Sequence, residues 1–120
     1  MRVVYVAGKF RGPSHWAIAE NIRAAERVAL EVWRLGAAAL CPHANTAHFQ
    51  DAAPDHVWLE GDLALLDKCD ALVTVENWTD STGAKAEVAH AIAGGIPVFH
   101  SLGDLGAWLG RSDQGDGAAV

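Results

Sequence analysis

The run Ala71 to Val75, ALVTV, is five residues long, apolar but for one threonine, and closed at both ends by polar residues. It is too short for a helix and lacks the alternation of a strand with one wet face, so it is expected to be a strand buried on both faces. Such a strand needs helices on either side of its sheet. Helical patterns flank it in the chain. One starts at Pro54 or Asp55, carries Val57, Trp58, Leu59, Leu63, Leu65 and Leu66, and runs to about Lys68. The other runs from Ser81 to about Ala93 and is closed by Gly94 and Gly95.

The same grammar holds along the rest of the chain. Arg2 to Ala7, ending in Gly8, is a second central-strand pattern, and the Gly- and Pro-punctuated loop GKFRGPS follows it. Ser14 caps a helix from His15 to Leu35 that is expected to bury Ile18, Ile22, Ala25, Ala29 and Val32, with Gly36 at its C′ position. A strand from Ala37 to Cys41 comes next, and Pro42 to Pro54 reads as one loop, PHANTAHFQDAAP. Pro97 to His100 is a short fourth strand, and Asp104 to Leu109 a final helical turn or two. Residues 1–110 form one domain, and the Gly- and Asp-rich residues 111–120 read as a flexible tail. The expected fold is therefore a three-layer α/β domain, a parallel sheet of four to five strands with helices on both faces.

Composition excludes several partners. A formal charge of -6 and a pI near 5.3 speak against a nucleic acid polymer, because backbone-phosphate binding needs clustered Lys and Arg; a single nucleotide needs only one or two local cations. The N-terminal MRVVYVAG is too short for a signal peptide, and no stretch approaches the ~18 apolar residues of a membrane span, so a cytoplasmic protein is expected. Cys41 and Cys69 lack a CxxC spacing and read as buried free thiols. His43, His48 and His56 have spacings of five and eight that fit no common zinc pattern, so neither a metal nor a cofactor is expected.

In an open α/β sheet, ligands bind outside the carboxyl ends of the strands, which here brings GKFRGPS, PHANTAHF and ENWTDSTG together. Thr79, Asp80 and Ser81 are good helix N-caps, and the N–H groups they leave exposed suit an anion or a polar ligand. Gly83 stands one turn before Glu87 on the same helical face; either space is kept there for a ligand, or Gly83 packs closely on the sheet and Glu87 is merely solvated. Glu87 and Asp62 form a carboxylate pair of the kind that cleaves glycosidic bonds. Trp78 is placed to stack on a base or to pack, Tyr5 to steer a carboxylate or to fill the core. Lys9 and Arg11, beside Gly8 and Gly12, either hold a phosphate or are solvated loop cations. The first loop is neither GxxxxGK[ST] nor GxGxxG, and Ala7 and Gly8 stand where a receiver domain carries acidic residues.

The pattern GDLxLLxxCDALVxxxxWxxSxGAxxE, from Gly61 to Glu87, resembles the nucleoside 2-deoxyribosyltransferase superfamily, and with the PHxNTxHF loop it is similar to the short branch known as DUF4406. The resemblance spans roughly residues 3–100. It implies a flavodoxin-like fold and N-glycosidic bond cleavage of a nucleoside or nucleoside 5′-monophosphate, with retention, by hydrolysis or base exchange. Glu87 would be the nucleophile, Asp62 would contact or protonate the base, and Tyr5 would orient Glu87. Tyr5, Gly8, Arg11 and Gly12 also match the YxxGxxRG loop of the related 5′-monophosphate hydrolases. Ser81 matches their serine where transferases proper carry an aspartate, which leans towards a phosphorylated substrate. The chain lacks the transferases' C-terminal segment, and His43, Asn45, Thr46 and His48 are expected to supply base contacts or a lid in its place. The resemblance further implies a homo-oligomer, at least a dimer, to which the tryptophans Trp16, Trp33, Trp58 and Trp108 would lend surface. A nucleotide-binding or sensing module without turnover is the alternative, and a structural protein that merely keeps the helix start is a third.

Overall fold

The computed structural model describes residues 1–47, 49 and 51–117, with side chains as far as Gly110. Four strands, β1 (Val3–Ala7), β2 (Ala38–Leu40), β3 (Ala71–Thr74) and β4 (Val98–Phe99), form one sheet in the order β2-β1-β3-β4 with every pairing parallel. This 2-1-3-4 order, with a helix between successive strands, is that of the flavodoxin-like doubly wound fold. The lower of the two strand counts expected is the one observed.

Strand alternation sorts the core into two layers. Val4, Val6, Ala71, Val73 and Val75 pack with Ala25 and Val32 of α1 (His15–Arg34) and with Leu105 and Leu109 of α5 (Leu102–Gly117). On the opposite face Tyr5, Ala7 and Leu72 pack with Leu66 of α3 (Asp55–Leu66) and with Val88 and Ala91 of α4 (Thr82–Ala93). Tyr5 therefore points to the α3/α4 side, a direction set by its place in a five-residue strand with no polar position.

Helix ends follow the expected chemistry. The Ser14 hydroxyl accepts from the Ala17 N–H at 3.1 Å to start α1, and Gly36 at φ 90° turns the chain out of it into β2. Two elements differ from expectation. Pro42 to Pro54 is not all loop, because Pro42 at the first helical position opens a single turn, α2 (Pro42–Asn45). The last helix extends to Gly117 rather than ending near Leu109, its first half seated in the core by Leu105 and Leu109; residues 118–120 lie outside the described residues. No helix among the described residues is long and apolar enough to cross a membrane.

Candidate functional site

A cavity of about 790 Å³ opens at the carboxyl ends of β1 and β3. Its walls come from the loop after β1 (Gly8, Lys9, Phe10, Arg11), from α2 and its continuation (Pro42, His43, Thr46, Asp51), from α3 (Asp55, Asp62) and from the start of α4 (Ser81, Gly83, Glu87). These are the loops expected to meet there, with α3 added as a wall.

The loop after β1 is held by close packing and by two asparagines. Gly8 passes so near β3 that a Cβ on it would lie 2.6 Å from Val75 Cγ2 and 3.3 Å from Asn77 Oδ1, and no larger residue fits without a shift. The Lys9 N–H donates to Asn77 Oδ1 at 3.0 Å. From α1, Asn21 Nδ2 donates to the carbonyls of Phe10 at 3.1 Å and Arg11 at 3.0 Å, and Asn77 Nδ2 reaches Asn21 Oδ1 at 3.4 Å. His43 closes the arrangement from α2. Its Nε2 lies 3.0 Å from the Lys9 carbonyl, which can only accept, so Nε2 carries the proton. Burial pushes the imidazole pKa down, towards the neutral ring.

Glu87 lines the cavity floor, and behind it the fully buried Tyr5, which does not itself line the cavity, donates its hydroxyl to Glu87 Oε2. Glu87 is only 7% exposed, and its pKa is pushed up to about 7, by burial first and then by the Asp62 charge, against the lowering effect of the Tyr5 hydrogen bond. Burial likewise raises Asp62 to about 6. Tyr5 itself is pushed far above its ordinary value by burial and by Glu87, so its hydroxyl stays a donor. Two carboxyls so displaced, facing one cavity, hold a proton close to neutrality and can divide the roles of base or nucleophile and acid.

Above Glu87, a 3₁₀ turn (Trp78–Asp80) leads into Ser81, whose hydroxyl accepts from the Ala84 N–H at 3.0 Å and caps α4. The N–H groups of Thr82 and Gly83 have no protein acceptor among the described residues, as helix geometry dictates for a first turn. A Cβ on Gly83 would meet nothing nearer than Ser81 Oγ at 3.8 Å. Gly83 thus leaves open space over Glu87 and is not a packing contact with the sheet. At the mouth, Arg11 Nη2 and Asp55 Oδ2 form an ion pair between the first loop and α3, with both side chains about three-quarters exposed.

Three expected site residues stand away from the cavity. Gly12 packs against α1, where a Cβ would lie 2.7 Å from that of Ala17. Asn45 is exposed and borders a separate groove beside Trp33 and Cys41, because one helical turn puts His43 and Thr46 on the cavity face and Asn45 on another. Trp78 stacks on the His100 ring, centroids 5.0 Å apart and planes 16° off parallel, and packs on the α3/α4 layer. His48 lies outside the described residues. Among the described residues no three His, Cys, Asp or Glu side chains are grouped to hold a metal ion.

The sequence reading missed Asn21 and Asn77. The available signal was the amide of Asn21, which lies on the inward stripe of α1 between Ile18 and Ala25, where an apolar residue is expected.

A solved 2-deoxyribosyltransferase from the psychrotolerant bacterium Bacillus psychrosaccharolyticus, described as a biocatalyst for nucleoside synthesis, has the same fold. It matches with a TM-score of 0.61 and 19% identity, over 80% of this chain and 69% of that one. No curated protein matches the sequence. The family pattern that does match is a different one from the DUF4406 branch suggested by the motifs. It covers residues 2–102, and on that extent the chain belongs to the DUF1937 family, described as a domain of unknown function.

Proposed function

We propose that this protein cleaves the N-glycosidic bond of a nucleoside or nucleoside 5′-monophosphate, with Glu87 as nucleophile. The observation that carries the reading is the buried Glu87 carboxyl at the cavity floor, held by the Tyr5 hydroxyl and facing the open space over Gly83, with Asp62 in the same cavity. The sugar lies over Gly83 with C1′ towards Glu87. The Glu87 carboxylate attacks C1′, the C1′–N bond breaks, and its electron pair leaves with the base, which takes the proton of the Asp62 carboxyl. The product of this step is a glycosyl ester on Glu87. Water or the N–H nitrogen of a second base, either one giving its proton to the Asp62 carboxylate, then attacks C1′ and frees Glu87, so that two inversions give retention. Tyr5 holds Glu87 in line. Both carboxyls are raised, Glu87 to about 7 and Asp62 to about 6, so the pair shares a proton near neutrality, and the reactive form is the one that carries it on Asp62.

The fold shared with the Bacillus psychrosaccharolyticus enzyme supports this reading, as does the SxGxxxE spacing from Ser81 to Glu87. We place the protein in the cytoplasm and expect at least a dimer, since Trp16 at 71% and Trp33 at 53% exposure are large apolar groups for a monomer's surface. The test is free-base release from a panel of nucleosides and 5′-monophosphates, with wild type beside Glu87→Ala. Release by wild type alone supports the glycosidase. Tight binding without release by either protein points instead to a nucleotide-binding or sensing module.

A further inference from the structure

The cavity carries more negative than positive charge. Lys9 and Arg11 are its only Lys or Arg among the lining residues described, whereas Asp51, Asp55, Asp62, Asp80 and Glu87 all line it. Even with a proton held between Glu87 and Asp62, carboxylates outnumber these cations. Arg11, the better phosphate ligand of the two by its forked geometry, is already engaged by Asp55. The other attractive feature, the first turn of α4, has Asp80 immediately before its Ser81 cap.

A 5′-phosphate brings a charge of roughly -1.5 to -2 near neutrality. To reach Arg11 it must share the guanidinium with the Asp55 carboxylate, to reach the α4 N-terminus it must sit beside Asp80, and Lys9 is the one other Lys or Arg among the described lining residues. An unphosphorylated sugar meets no such opposition, because its 5′-hydroxyl can donate to either carboxylate. Resting on the glycosidase reading of the pocket, we propose that Asp55 is a specificity-determining residue: by occupying Arg11 at the cavity mouth it selects uncharged nucleosides against their 5′-monophosphates. This reverses the preference that the first-loop and Ser81 motifs suggested.

The experiment measures Kd and base release for the four common 2′-deoxynucleosides and their four 5′-monophosphates. It compares wild type, Asp55→Asn, Arg11→Gln and the double variant. Wild type binds the nucleoside of each pair more tightly. Asp55→Asn shifts the affinity ratio towards the monophosphate by about fivefold, the upper end of the range for an exposed ion pair, and the shift is absent when Arg11 is also replaced. A wild type that prefers monophosphates overturns the proposal. So does an Asp55→Asn variant with an unchanged ratio, or a shift that persists without Arg11. Base release with monophosphates preferred keeps the glycosidase and removes this inference. Nucleoside-selective binding with the Asp55→Asn shift but no base release does the reverse, and absence of binding by every variant removes both.

Discussion

The floor and the mouth of the cavity use the same device, a carboxylate facing a hydrogen-bond donor, on opposite sides of the solvent boundary. At the floor Glu87, only 7% exposed, receives the hydroxyl of the fully buried Tyr5, and burial moves its pKa to about 7. At the mouth Asp55 receives Arg11 with about three-quarters of both side chains in water. Electrostatic interactions gain strength as the local dielectric falls, so the first pair is the stronger contact and the second a weak, replaceable one. On the proposed function, chemistry and selectivity are separated by depth.

The sharpest way to break this contrast is to remove the floor carboxylate. Glu87→Ala is expected to lower turnover by at least about a thousandfold, the scale on which enzymes lose a nucleophile. Ligand Kd should stay within a few-fold, because the walls and the helix start remain. Single-turnover kinetics beside equilibrium binding separates the two. Equal losses in both would mean that Glu87 holds ligand and does not attack it.

Stability against pH tests the floor without any substrate. The folded-state pKa of Glu87 lies above its ordinary 4.5, at about 7, so the unfolded chain ionises first as pH rises. Between those values the folded state binds more protons, and stability must fall with increasing pH. The loss is on the order of 3 kcal/mol, present as stability below pH 4.5 and gone above about 7. Glu87→Gln keeps an acceptor for Tyr5 and cannot ionise, so urea unfolding of this variant should lack that component of the fall. An unchanged slope in Glu87→Gln would assign the pH dependence to other groups.

Tyr5→Phe sharpens the same region. The hydroxyl lowers the Glu87 pKa by donating to it, so its loss should move the acidic limb of the kcat/KM profile to higher pH. Activity on the plateau should fall roughly 10- to 100-fold, as for loss of a hydrogen bond to a charged group. A structural role for Tyr5 alone would lower stability and leave the limb in place.

How much of this was legible beforehand also divides by depth. The buried parts were readable because one strong constraint acts on each. ALVTV and VVYVA have no wet face, so their strands and neighbours follow, and alternation within β1 sends Tyr5 to the α4 side. Spacing alone put Gly83 one turn from Glu87. It did not say whether Gly83 packed or left room, which depends on an absent neighbour. The parts that failed are those decided by tertiary partners. A single turn such as α2 shows no periodicity, so His43 and Asn45 looked equivalent although one faces the cavity and the other leaves it. Trp78 found its partner in His100 of a later strand end, and the Asn21–Asn77 contact joins segments whose meeting no local pattern encodes.

The smallest expected effect tests the mouth. If Arg11 and Asp55 act on selectivity rather than on the fold, replacing either should change unfolding stability by no more than about 0.5 kcal/mol, since exposed ion pairs recover most of their interaction from water. A double-variant cycle in urea should return a coupling within that limit and falling further at high salt. The same cycle read in ligand selectivity is expected to show the larger coupling, because a bound phosphate faces both side chains at once. A stability coupling that exceeded the selectivity coupling would make the pair a clamp between the first loop and α3, and would return control of the mouth to the backbone that Asn21 and Asn77 hold.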